Sequence, residues 1–257
     1  VIKKGINSDV SKIPGIAFRK DNQIVKNSPA FISDLDQVPF PARHLLPMHL
    51  YSRVMEYLDV KPVDTMNVIR GCPYNCAFCH KIWPNRHVVR SAENVYNEVE
   101  IYYNMGFRRF VFVDDIFNLN VENSRRFFEL VIENKLDIQL MFPAGLRGDT
   151  LTKDYIDLMV KAGTINFALA LETASPRLQK LIRKDLELER FGGIVKYTCE
   201  TYPQVVLELF TMHGFPGETR EEAMATLEFI KNTKWLHFPY IHILKIRTFS
   251  RLKNLLI

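Results

Sequence analysis

From Asp64 onward, short runs rich in β-branched and apolar residues alternate with amphipathic stretches of helical period, and this alternation limits the chain to few folds. Strands are expected at 65–70, 109–114, 137–142, 164–171, 204–212 and 240–246, with helices near 92–105, 121–134, 152–162, 175–183, 187–201 and 220–233. Such alternation implies parallel strands joined by right-handed crossovers. Capping chemistry marks several boundaries. Ser91 suits a helix N-cap, and Gly106 suits a left-handed ending. Ser175 followed by Pro176 is a cap plus a first-turn proline. Thr219 with Glu222 is a capping box, and Thr152 opens a helix that Gly163 ends. The pattern fits a partial (β/α) barrel or an open doubly wound sheet. In both, ligands bind beyond the C-terminal ends of the strands.

Residues 1–60 are irregular, punctuated by Pro14, Gly15, Pro29, Pro39, Pro41 and Pro47, with a hairpin expected across residues 20–22. The chain begins at Val1 and stops soon after an apolar stretch, so a fragment of a longer protein is expected. On this reading 1–60 is a linker leading in from an N-terminal domain that is missing, 61–246 is the core, and 247–257 is a truncated C-terminal segment. The net charge is +5, and basic residues come in pairs such as Arg183-Lys184 rather than in blocks. A nucleic-acid partner is therefore not indicated. The longest apolar candidate, 235–244, is too short to cross a bilayer and carries two histidines. No basic–apolar–small leader pattern stands at the N-terminus. A cytoplasmic location is expected.

Directly after the first strand comes Arg70-Gly71-Cys72-Pro73-Tyr74-Asn75-Cys76-Ala77-Phe78-Cys79-His80, with the spacing C-x3-C-x2-C. Fully extended, this segment would hold its outer cysteines up to about 25 Å apart. A shared ligand demands a curled loop, and Gly71, Pro73 and Asn75 suit one. Crowded cysteines fit a reducing compartment and a metal site better than disulfides. Three readings stay open from the residues alone. Structural zinc would take the three thiolates plus His80 or His87, although adjacent Cys79 and His80 make awkward co-ligands. The cysteines could also be inert buried thiols. In the third reading they hold an iron–sulfur cube, and three thiolates leave one iron open to a substrate or cofactor.

The spacing, with an aromatic residue before the third cysteine, resembles the signature of the radical S-adenosylmethionine (SAM) superfamily, and the likeness runs over roughly residues 64–240. The resemblance implies an α/β fold, a partial (β/α)6 TIM-type barrel of parallel strands with outer helices. It implies a [4Fe–4S] cluster on Cys72, Cys76 and Cys79, whose open iron binds the amino and carboxyl groups of SAM. An electron donor such as flavodoxin or ferredoxin then supports SAM cleavage to a 5′-deoxyadenosyl radical, which abstracts hydrogen from a small-molecule substrate. Phe78 would lie against the adenine. Asp114 and Asp115, in Val111-Phe112-Val113-Asp114-Asp115-Ile116-Phe117, stand where the family usually has Gly-Gly-Glu contacting the SAM amino group; a carboxylate suits an ammonium. Arg147, in Gly145-Leu146-Arg147-Gly148-Asp149, would hold the SAM carboxylate, and Glu172 the ribose. The segment His213-Gly214-Phe215-Pro216-Gly217-Glu218-Thr219 resembles the family's Gly-Phe-Pro-Gly-Glu-Thr run beside the adenine.

Residues 13–19 and 34–43 look like the linker of cobalamin-associated members, among them methyltransferases and anaerobic cyclases. Cobalamin would then be held by a domain absent from this chain, which carries no Asp-x-His-x-x-Gly motif. The family's Pro-Gly-Thr-like turn after the sixth strand is replaced by Lys245-Ile246-Arg247-Thr248-Phe249-Ser250. The implied activity is cobalamin-dependent methylation or cyclisation. Its alternatives are a methylthiotransferase acting on tRNA or protein, and a non-catalytic zinc-binding module. No individual catalytic residue is assigned. Cys199, His237, His242 and Tyr102, Tyr103 and Phe107 read as structural residues, while Trp83, His80 and His87 read as solvated loop positions.

Overall fold

The computed structural model describes residues 9–47, 63–79, 86–246, 250 and 252. His80 and Trp83 lie outside that set. An N-terminal hairpin pairs β1 (Ala17–Lys20) with β2 (Gln23–Lys26). Asp21 and Asn22 have φ of 48° and 62°, the left-handed pair that a two-residue hairpin turn requires. The following strap is pinned to the barrel's flank. Asp36 Oδ1 accepts the Ser91 N–H at 2.9 Å, the Tyr102 hydroxyl donates to the Pro41 carbonyl at 2.6 Å, and Arg43 pairs with buried Asp64.

The barrel elements follow in order: β3 (Val63–Met66), β4 (Ile69–Arg70), β5 (Val88–Val89), α1 (Ala92–Asn104), β6 (Arg109–Phe112), α2 (Val121–Glu133), β7 (Gln139–Leu146), α3 (Lys153–Lys161), β8 (Thr164–Glu172), α4 (Pro176–Leu181), α5 (Leu188–Thr201), β9 (Val206–His213), α6 (Arg220–Asn232) and β10 (Phe238–Ile243). One all-parallel sheet runs β3-β6-β7-β8-β9-β10. Spatial order follows chain order without reversal. A doubly wound sheet reverses at a switch point, so the architecture is the partial (β/α)6 barrel.

Strand residues of one parity face the helices and build the core. Phe110, Phe112, Leu140, Phe142, Phe167, Leu169, Leu207 and Leu209 are all at most 1% exposed. Phe112 stacks on Phe142 at 5.0 Å, and Phe127, Phe128 and Tyr155 from α2 and α3 close over them. Burying each such side chain contributes about 1.5–3 kcal/mol. The caps read from sequence form as expected: Ser91 Oγ accepts the Asn94 N–H, and Thr219 and Glu222 cap each other. Gly163 has φ +100°, and a Cβ there would stand 2.2 Å from the Ile138 carbonyl oxygen. Among the described residues no helix is long and apolar enough to cross a membrane.

Each expected strand differs from the observed one at one or both ends, and three of these differences have a clear physical reason. The expected strand 65–70 is split, because Asp114 Oδ1 takes the N–H groups of Val68 and Ile69 at 2.7 and 2.6 Å and lifts that backbone out of the sheet. The expected strand 137–142 continues past Pro143 to Leu146, because a bulge between Phe142 and Leu146 absorbs the proline. The last strand begins at Phe238 rather than 240 and tolerates Pro239 because it is the end strand of the sheet.

Candidate functional site

A cavity of about 330 Å³ opens at the C-terminal ends of β7, β8 and β9. The β7 bulge supplies Ala144 and Gly145 to its wall, β8 supplies Ala170 and Glu172, and β9 supplies Phe210. Cys72, Cys76 and Cys79 all line it, together with Tyr74 and Phe78 from the same loop. The three cysteines are free thiols.

The cysteine loop is held at several points. The antiparallel β4–β5 ladder closes its base. At Gly71, φ is +95° and a Cβ would meet the Arg86 carbonyl oxygen at 2.3 Å, so only glycine fits. The Ala77 N–H donates to the Ile182 carbonyl at 2.7 Å, and the Ala77 carbonyl accepts from Ser250 Oγ and the Leu252 N–H. Phe78 packs on a small cluster of Leu178, Ile182 and Phe215. These contacts tie the loop to α4 and to the turn after β9.

The charged wall opposite is an ion-pair junction. Lys184 Nζ meets Glu172 Oε1 at 2.7 Å, with both side chains 9% exposed. Three non-glycine residues here adopt the left-handed region: Glu172 at φ 65°, Arg183 at 54° and Asp185 at 48°. Such strain costs about 1–3 kcal/mol per residue and persists only where surrounding contacts impose it. Arg147 lines the cavity, and its guanidinium grips Asp149 with two contacts, Nε–Oδ1 at 2.9 Å and Nη2–Oδ2 at 3.0 Å. It also donates to the Lys184 carbonyl and lies over Tyr74 at 4.2 Å. Buried Asn118 fixes the Arg147 backbone through both its amide atoms. Burial pushes the Cys76 thiol above its ordinary value, while the Lys184 ammonium and the Arg147 guanidinium pull it back.

The other sequence-derived positions divide. Asp115 lines the cavity. Asp114 turns away, to the backbone of Val68 and Ile69, and is 2% exposed. His213 and residues 214–218 form a turn beside the site: Glu218 Oε2 accepts the N–H groups of Gly214 and Phe215, and His213 Nδ1 faces Glu218 Oε1 at 3.5 Å. Phe215 from that turn supports Phe78 from below. Cys199 is 3% exposed and far from ionising, its thiol raised to about 11 by burial. Tyr74, Ala144, Ala170, Lys184 and Phe210 escaped the sequence reading. For Lys184 a signal existed, a basic residue placed just beyond α4, but it read as surface charge.

Burial holds the Asp114 carboxyl up at about 7, against the pull of the Ile69 and Val68 N–H groups. An unfolded aspartate titrates near about 3.9. Between about pH 4 and 7 the folded chain keeps a proton that the unfolded chain has lost, so stability falls as pH rises through that window. Asp114→Asn keeps the Oδ1 acceptor and removes the titration. Urea unfolding at a series of pH values is expected to give a shallower fall for this variant; an unchanged profile would count against the assignment.

The donor set suits an iron–sulfur cube. Thiolates are the soft ligands such clusters take, and Lys184 and Arg147 in the cavity wall pull the Cys76 thiol toward that form. Among the described residues no group of three or more His, Cys, Asp or Glu side chains stands at the spacing that would hold a metal ion. A cube seats each thiolate on a different iron, so its ligands need not meet at one point.

Comparison with known proteins adds the family context. The profile of the Radical SAM superfamily matches residues 66–230. An uncharacterized methyltransferase of Pyrococcus horikoshii is 32% identical over 228 residues, covering 87% of this chain and 48% of the relative. Cytidylyl-2-hydroxyethylphosphonate methyltransferase of Streptomyces wedmorensis is 28% identical over 218 residues, covering 79% of this chain and 40% of the relative. The chain thus spans less than half the length of these two relatives. In structure it is similar to the radical SAM methyltransferase TsrM of Kitasatospora setae, solved with cobalamin and a [4Fe–4S] cluster. The TM-score is 0.72 at 16% identity, covering 95% of this chain and 48% of the other.

Proposed function

The chain belongs to the Radical SAM superfamily, and on that premise we propose that it is the catalytic core of a methyltransferase whose cluster sits on Cys72, Cys76 and Cys79. The observation that carries the reading is the convergence of all three thiols on one cavity at the strand ends, facing the Lys184–Glu172 pair. When bound, the cluster and SAM supply reductive SAM cleavage to a 5′-deoxyadenosyl radical. The chain's own residues bind, orient and shield. Lys184 and Arg147 draw the Cys76 thiol toward its ionised form, against the burial that raises it. Asp115 offers a carboxylate at the cavity wall for the SAM ammonium. Glu172, fixed by Lys184, presents an acceptor suited to a ribose hydroxyl. Phe78, backed by Phe215, gives an apolar surface for the adenine.

Arg147, already committed to Asp149, acts in this reading as a positioning residue that fixes the Lys184 carbonyl. Asp114 likewise shapes the β3–β4 connection rather than touching cofactor. Cobalamin, held elsewhere in a longer protein, is proposed as methyl carrier; the likeness of residues 13–19 and 34–43 to a cobalamin-associated linker supports it, and a reducing, cytoplasmic setting with a flavodoxin- or ferredoxin-type donor suits the chemistry. The test is anaerobic reconstitution with iron and sulfide, followed by reduction and SAM. A brown protein that releases 5′-deoxyadenosine is expected; a colourless protein with stoichiometric zinc and no product would overturn the proposal.

A further inference from the structure

Across the inner face of the sheet, Ala170, Phe210 and Tyr240 are register partners on β8, β9 and β10, and His242 stands on the next level beside Met212. Alternate residues of a strand share a face, so Phe210, Tyr240 and His242 form one aromatic surface. Phe210 meets Tyr240 at 5.6 Å and His242 at 6.2 Å. The Tyr240 and His242 rings are nearly parallel, 8° apart, at 6.1 Å. Through Phe210 this surface is continuous with the cavity that holds the three thiols.

Beside Phe210 the cavity wall carries little bulk. Ala144, Gly145 and Ala170 line it with nothing larger than a methyl group. A Cβ on Gly145 would stand 3.5 Å from the Phe210 ring and 3.8 Å from the Ala170 methyl, in ordinary contact, so Gly145 lies directly beside the Phe210 ring. The aromatics of the opposite sheet face, such as Phe112, Phe142 and Phe167, are sealed under helices. By contrast, Phe210 and Tyr240 are half-buried and His242 is exposed. This stretch of the cavity wall is therefore apolar and small, with Phe210 as its aromatic face and Tyr240 and His242 continuing that face beyond it.

We infer that Phe210 in the cavity wall, with Tyr240 and His242 extending its aromatic face outward, forms the substrate-side surface and selects a planar, conjugated ring as the group presented to the radical. The inference deepens the function proposed above and rests on it. A ring lying on this surface gains offset or edge contacts with aromatic neighbours, and the small Ala144, Gly145 and Ala170 beside Phe210 do not block its approach to the thiol side. A saturated ring of the same outline is thicker and gains no π contact.

The test measures binding without turnover on the anaerobically reconstituted full chain, by ligand-observed NMR. The probes are 2-naphthalenemethanol and its decahydro analogue, which share charge and hydroxyl but not planarity. The naphthyl probe is expected to bind about tenfold more tightly than the saturated one. Tyr240→Leu and His242→Leu, conservative in bulk, are each expected to weaken the naphthyl probe several-fold with the melting midpoint unchanged. Equal affinity for the two probes, or leucine variants that bind normally, would overturn the inference. So would displacement of the probe by S-adenosylhomocysteine, which would make the wall an adenine subsite. Iron content and 5′-deoxyadenosine are read on the same preparation, so loss of the radical chemistry is seen separately from loss of the ring preference.

Discussion

Cys76→Ala is expected to lower 5′-deoxyadenosine formation by at least about a hundredfold, because even outer-shell partners of a metal site typically cost 10–100-fold when lost. Cys76 lies in the middle of the loop and lines the cavity between Tyr74 and Phe78. Its neighbours are held independently of its sulfur, by the Ala77–Ile182 hydrogen bond and the β4–β5 ladder. The side chain is only half-buried, so truncation leaves little cavity, and the folding cost should stay near about 1 kcal/mol. Far-UV circular dichroism should therefore match wild type while iron content and product fall together. Cys199→Ala is the control. That thiol sits in the helix layer at 3% exposure, and its loss should leave iron and product intact. Undiminished product from the Cys76 variant would refute the ligand assignment.

The second large effect concerns stability. Lys184→Met removes the partner of Glu172 while both sit 9% exposed. Breaking a buried pair leaves an uncompensated charge and typically costs about 3–5 kcal/mol, whereas replacing both members by groups of similar volume is often close to neutral. Urea denaturation should show a loss of about 3 kcal/mol for Lys184→Met and recovery of most of it in Lys184→Met/Glu172→Gln. The strained backbone at Glu172, Arg183 and Asp185 makes the asymmetry sharper, since the pair helps hold that conformation. A loss below about 1 kcal/mol would mean that water entering the cavity already solvates Glu172, and the junction would then not fix the wall.

Much of this architecture was legible in the sequence because local rules and tertiary context agree. The β/α alternation, the caps at Ser91, Thr152, Ser175 and Thr219, and the glycines at 106 and 163 carry their chemistry in neighbouring residues. The cysteine spacing points to the candidate site because C-terminal strand ends are where this fold binds ligands. What the sequence hid lies in long-range contacts. Asp114 read as a loop acid free to meet a ligand, yet its carboxylate is consumed by backbone N–H groups 45 and 46 residues away. Pro143 read as a strand end, yet a bulge carries the strand past it and delivers Ala144 and Gly145 to the cavity. Lys184 read as one half of a surface basic pair. Its role depends on Glu172, twelve residues earlier, adopting a left-handed φ that no local rule assigns to glutamate. Tyr240 and His242 share a face with Phe210 only through the β9–β10 register.

The central claim is a cube bound by three thiolates of this chain with one iron left open at the cavity. Mössbauer spectroscopy of the 57Fe-reconstituted chain, before and after SAM, tests it most directly. About four irons per chain are expected, one of which changes its isomer shift when SAM is added while the other three do not. Spectra that are identical with and without SAM, or iron that binds equally well to the Cys76→Ala chain, would contradict it.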